Sequence, residues 1–179
     1  PQTLAKIARL RSGMKQRTTA KVPPPLEGMK KLSIFDSRQV TSGEIPSAAA
    51  KCSARGLAKL AQVMACGGTA NGTQVLSESA WSALHEAPVL RNMMAINTSF
   101  TQGGLAKFDR VEASSSPMDK GMHAGREGYY GWMGLGGSIF QWHPEKRIGF
   151  AYVPTSLNVL DVVNERGKRY QTELSRLLG

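Results

Sequence analysis

The clearest periodic segment of the chain begins at Ser53. Leu57, Leu60, Ala61 and Met64 fall at i, i+3, i+4 and i+7, the spacing that lines one face of a helix. Ser53 is placed to cap its start, and Gly67-Gly68 ends it after about three turns. Asn71-Gly72 then marks a tight turn. Ser77 caps a second helix, with Trp81 and Leu84 on one face and closure near Pro88. From Tyr129 the period shortens. Ile139-Phe140-Gln141-Trp142 and Ile148-Gly149-Phe150-Ala151-Tyr152-Val153 are rich in β-branched and aromatic residues. His143-Pro144-Glu145-Lys146-Arg147 between them has the length of a hairpin loop.

Gly149 and Ala151 share one face of the second strand, where small side chains let a helix approach closely. The last helix is expected to fill that place. Leu160, Val163, Gly167, Tyr170, Leu174 and Leu177 are spaced 3, 4, 3, 4 and 3, a stripe of about five turns. Glycine at its middle favours packing on a sheet over a coiled-coil seam.

Elsewhere the pattern is weaker. Residues 3–17 predict a basic helix with Leu4, Ile7 and Met14 on one side, broken by Val22-Pro23-Pro24-Pro25. Residues 26–50 read as a long connection, and 101–128 as loop with one short strand. No internal repeat is present. The order helix, helix, strands, long C-terminal helix predicts an α+β domain, an antiparallel sheet flanked by helices. Two regions follow: residues 1–43, a basic helix with a proline-rich irregular connection, and residues 44–179, the folded part.

Charge changes this picture at one end only. The chain carries a formal +10, of which residues 1–31 hold eight Lys/Arg against the single acid Glu27. Such an arm suits a solvated surface, with an organelle-targeting remnant or an anionic partner as the alternatives. Zinc-finger spacing and aromatic–glycine stacking motifs are both missing, so nucleic acid is disfavoured. Cys52 and Cys66 form no C-x-x-C and read as free thiols, which favours an intracellular place, cytoplasmic or organellar. His85, His123 and His143 stand far apart, so neither a metal nor a cofactor is expected. The apolar runs fall short of the roughly 20 residues that span a bilayer.

Three stretches, in order, carry a resemblance. Glu44-Ile45-Pro46-Ser47-Ala48 runs into Ser53-Ala54-Arg55-Gly56-Leu57-Ala58-Lys59-Leu60. Gly67-Gly68, Asn71-Gly72 and Val75-Leu76-Ser77-Glu78 follow. The third is Gly131-Trp132-Met133-Gly134-Leu135-Gly136-Gly137-Ser138, leading into the hairpin. Together they resemble the C-terminal portion of the serine β-lactamase-like superfamily, especially its esterase branch, over roughly residues 44–177. The resemblance implies the C-terminal part of a β-lactamase/transpeptidase-like fold and ester or amide hydrolysis through an acyl-enzyme. It places Trp132-Met133-Gly134 where relatives carry Lys-Thr-Gly or, in many esterase-like members, His-x-Gly or Trp-x-Gly. It also puts Leu135 where they donate a backbone N–H to the oxyanion. Trp132 lacks the cation that would hold a β-lactam carboxylate, so a small neutral ester or amide is the expected substrate.

The family's other motifs are not met. None of Tyr129, Tyr130, Tyr152 and Tyr170 has asparagine two residues on. Ser12-Gly13-Met14-Lys15 is a literal Ser-x-x-Lys, but sixteen serines and eleven lysines predict about one such match by chance. It also lies too close to Trp132 for the family's spacing. The chain is therefore expected to be inactive alone. It reads as the substrate-holding part of a longer hydrolase, or else as a non-catalytic binding subunit. Lacking the family's N-terminal strands, it should expose a sheet edge that invites a protein partner or self-association.

Overall fold

The computed structural model describes residues 37–43, 50–93, 96–158 and 160–178. The basic helix expected over 3–17, the proline run, Ser12, Lys15 and Glu44–Ala48 all lie outside the described residues, as does most of the expected connection over 26–50. Within that connection one short helix is present, α1 (Arg38–Ser42), started by Ser37, whose Oγ accepts from the Val40 N–H at 3.3 Å.

The predicted elements from Ser53 onward are present. In α2 (Ala54–Ala65) the Ser53 Oγ accepts from the Gly56 N–H at 3.1 Å. The Gly68 N–H reaches back to the Val63 carbonyl at 2.9 Å, with Gly67 and Gly68 at φ 68° and 83°. These left-handed values cost glycine little and other residues much, so the helix stops there. Asn71 and Gly72, at φ 49° and 79°, turn β1 (Thr69–Ala70) into β2 (Thr73–Gln74). Ser77 caps α3 (Glu78–His85) by accepting from the Ala80 N–H at 3.2 Å.

A six-stranded antiparallel meander follows: β3 (Val89–Met93), β4 (Ile96–Phe100), β5 (Ala106–Lys107), β6 (Tyr130–Met133), β7 (Ile139–His143) and β8 (Ile148–Tyr152). Strands neighbouring in sequence pair in space, so among the described residues β3 and β8 are the two edges. Besides α1, two features were not anticipated. The β3–β4 hairpin is one; the other is α4 (Pro117–His123), which lies in the stretch read as loop and is capped by Ser116. The last helix is α5 (Glu165–Leu177).

Helices cover both faces of the sheet, and glycines decide which helix goes where. A Cβ on Gly149 would stand 2.6 Å from the Gln62 Cα and the Ala61 carbonyl carbon. The helix packed on Gly149 is thus α2, not the last helix as the small-residue pattern suggested. α5 docks on the opposite face through Gly167, where a Cβ would meet the Ile139 Cδ1 at 2.6 Å and the Tyr152 Cδ1 at 2.8 Å. The expected five-turn stripe is also shorter than drawn. Leu160 and Val163 precede the helix, and Tyr170 and Leu177 are 65% and 66% exposed. The seam that α5 buries is Gly167 and Gln171, with Leu174 half-buried.

Two apolar clusters result. Phe108, Met122, Tyr129, Met133, Ile139 and Ile148 lie under α4 and α5. Ala61, Ala65 and Trp142 lie under α2 and α3. His85 closes the second. Its Nδ1 lies 2.7 Å from the Trp81 carbonyl, and its Nε2 accepts from the Trp142 Nε1–H at 2.9 Å. That pair of partners demands the neutral ring with hydrogen on Nδ1, since a proton on Nε2 would face the indole N–H. Burial holds the His85 pKa below the usual 6.5. Burial does the same for His143, with Glu145 opposing and Lys146 assisting.

Because both histidines bind protons more weakly folded than unfolded, their contribution is complete above pH 6.5 and is lost as pH falls below it. Urea midpoints should drop between pH 7.5 and pH 5. Replacing His85 with Gln, which keeps one donor and one acceptor, together with His143→Gln, should remove most of that drop. An unchanged pH slope in the double variant would show that other groups carry it.

Candidate functional site

The glycine-rich stretch is the turn that joins β6 to β7, and the structure locks it from behind. Gly136 and Gly137 adopt φ 94° and 120°, values open to glycine alone among common residues. Across the mouth of the turn the Gly134 N–H donates to the Ser138 carbonyl at 2.9 Å. Asn164, itself at φ 52°, precedes α5 and sends its Nδ2 to both the Gly134 carbonyl (3.0 Å) and the Ser138 carbonyl (2.9 Å). The Arg166 Nη2 donates to the Gly136 carbonyl at 2.6 Å, and the Asn158 N–H reaches the same oxygen at 3.0 Å. Arg166 is in turn held by buried Asp161, Nε to Oδ2 at 3.0 Å, whose other oxygen accepts from the Glu165 N–H at 2.7 Å.

One residue further back, the guanidinium of Arg126 is fully buried. It donates to the carbonyls of Met122 (2.7 Å), Val163 (3.1 Å) and Asn164 (3.4 Å), and its Nε to the Gln171 Oε1 (3.2 Å). Among the described residues no hydrogen bond or ion pair joins it to a carboxylate. Burial lowers its pKa to about 10, opposed by the charge of Asp161. The Gln171 Nε2 continues the chain to the Gln141 Oε1 on β7 at 2.7 Å. Arg126 therefore fixes the backbone at Asn164, and Asn164 fixes the turn.

The four residues expected at the pocket take separate places. Trp132 is half-buried, its ring centroid 5.8 Å from that of Phe100. Met133 points into the core. A Cβ on Gly134 would meet the Ser138 Oγ, a hydroxyl that can rotate aside, and the backbone there is not left-handed, so the demand for glycine in this turn falls on Gly136 and Gly137. Leu135 stands at the tip, 66% exposed, and its N–H has no acceptor among the described residues. Sequence reasoning missed Asn164, Arg166, Asp161 and Arg126. Asn164 carries a legible signal, an asparagine at a helix start, but its side chain bonds sideways to the turn instead of capping the helix.

The chain matches no family model, no curated protein and no solved structure with which it was compared. Cys52 and Cys66 are free thiols. Among the described residues no helix is long and apolar enough to cross a membrane, and no His/Cys/Asp/Glu group is arranged to hold a metal.

Proposed function

We propose that this chain is the substrate-holding, C-terminal half of a β-lactamase-related serine hydrolase that cleaves a small ester or amide through an acyl-enzyme. The nucleophile is supplied by a segment outside the 179 residues. The observation that carries this reading is the unpartnered Leu135 N–H, presented on a turn that Asn164 and Arg166 hold rigid. A fixed donor aimed where negative charge develops is worth about 3–4 kcal/mol of transition-state stabilisation. A second support is the sheet edge at β8. Gln62 occupies part of it, accepting from the Gly149 N–H at 3.1 Å and donating to the Arg147 carbonyl at 3.1 Å, and among the described residues no further strand pairs with β8. That edge is where further strands of a longer protein would add.

The 179-residue chain alone should resist a fluorophosphonate serine probe, leave short-chain nitrophenyl esters intact and elute larger than a monomer through its open edge. A longer chain bearing Ser-x-x-Lys and Tyr-x-Asn ahead of it should label at that serine. Labelling at Ser12, or a longer chain that stays unlabelled, would overturn the reading. The second result would favour a non-catalytic binding subunit.

A further inference from the structure

A groove lies at the same end of the sheet as the glycine-rich turn. β4 and β6 are parallel to each other, both antiparallel to β5, and the register sets Phe100 at the end of β4 level with Gly131, so Gly134 and the turn begin three residues, about 10 Å, further along the same direction. The groove has a volume of about 350 Å³ and is lined by Ala87, Val89, Arg91, Phe100, Thr101 and Gln102. Phe100 is shared, since its ring also packs on Trp132. From Trp132 on β6 over Phe100 to β3 the wall crosses three strand spacings, about 14 Å, and Leu135 lies beyond Trp132 along the strand direction.

Trp132, Phe100, Val89 and Ala87 are apolar, Val89 being 46% exposed, while Thr101 and Gln102 are polar and uncharged. Arg91 is the single charged residue of the lining. Its Nη1 donates to the Leu90 carbonyl at 3.1 Å, and no carboxylate pairs with it among the described residues. A planar guanidinium with donors to spare on an apolar wall suits a bidentate carboxylate.

We propose that this groove binds an apolar chain ending in a carboxylate, with the carboxylate on Arg91 and the chain along Val89, Phe100 and Trp132. If the hydrolase reading above holds, on which this step rests, the substrate is an ester or amide whose acyl chain carries a distal carboxylate. Trp132 then selects against charge at the reacting end, while Arg91 selects for charge at the far end.

The probe is decanoate, with decanol as the uncharged chain of equal length, titrated into the 179-residue protein and followed by tryptophan fluorescence and calorimetry. Decanoate should bind saturably and perturb Trp132, a response abolished by Trp132→Phe. Decanol should bind about 10-fold more weakly, and Arg91→Gln should bring decanoate down to the same level. Val89→Glu, at an exposed position, should abolish decanoate binding with the circular dichroism unchanged. Equal affinities for the two probes, indifference to Arg91→Gln, or no saturation would overturn the groove assignment. Its failure is distinct from failure of the hydrolase reading, which serine labelling of the longer protein tests without reference to the groove.

Discussion

Arg126→Ala should destabilise the protein by about 4 kcal/mol, seen as a fall in Tm of about 10 °C, with solvent exchange of the Gly134–Ser138 amides accelerated. The guanidinium serves three main-chain carbonyls and one side-chain oxygen, all at buried or half-buried positions. Removing it strands these acceptors, each at a cost of about 1–3 kcal/mol where water cannot reach. It also frees the Asn164 backbone, on which the turn depends. Arg126→Met separates volume from hydrogen bonding: it refills most of the space but satisfies no carbonyl, so it should recover only part of the loss. A methionine variant as stable as the parent would show that the carbonyls find other partners and that Arg126 is dispensable to the turn.

The second large effect is a contrast between two glycines. Gly149→Ala should cost about 3 kcal/mol, and Gly167→Ala about 1 kcal/mol, although each adds one methyl group to a helix–sheet contact. The new methyl at 149 meets helix backbone, the Ala61 carbonyl carbon and the Gln62 Cα, so α2 must lift as a unit. It would also pull the Gln62 side chain from the Gly149 N–H and the Arg147 carbonyl. At 167 the obstacles are the tip of Ile139 and the ring of Tyr152, which rotate aside, and alanine raises helix propensity by nearly 1 kcal/mol over glycine. Urea denaturation of the two variants side by side measures this. Equal costs would mean that α2 sits more loosely on β8 than these contacts imply.

The turn also bears on how the pocket is built. Trp132 and Leu135 carry the proposed contacts with substrate, yet neither holds itself in place. The geometry of the Leu135 N–H is set by Asn164 and Arg166, about thirty residues later in the chain. Arg166 bridges two carbonyls, those of Ser156 and Gly136, while Asp161 holds its Nε. Exchange of Arg166 for lysine, which has no second fork, would lose at least one of them.

Local chemistry was legible along the chain. Ser53 and Ser77 are caps because a serine oxygen can take the free N–H of the first turn. Gly67, Gly68, Asn71 and Gly72 stop a helix and turn a hairpin because they tolerate positive φ. The β7–β8 hairpin is announced by two runs rich in aromatic and β-branched residues and the loop-length segment between them. These signals live within a few residues of one another, so they survive without knowledge of the fold.

Tertiary structure decided the rest. β3 and β4 contain Arg91-Asn92 and Asn97-Thr98-Ser99, polar runs with no alternation worth reading, and become strands because partners satisfy their backbone groups. α4 is hidden among serines and glycines, its Asp119 accepting from both nitrogens of Asn97 across the sheet. Gly149 showed in the sequence that some helix must come close, but not which one, since a small side chain offers room to any neighbour. The buried face of α5 was misplaced because it runs through Gly167 and Gln171, and a glutamine reads as surface until Gln141 and Arg126 meet it. Sequence alone determined where the glycine-rich turn lies and that its backbone is unusual. Only the packing of α5 against it decided that the turn is rigid, because the groups that hold it are polar side chains whose value depends on being buried together.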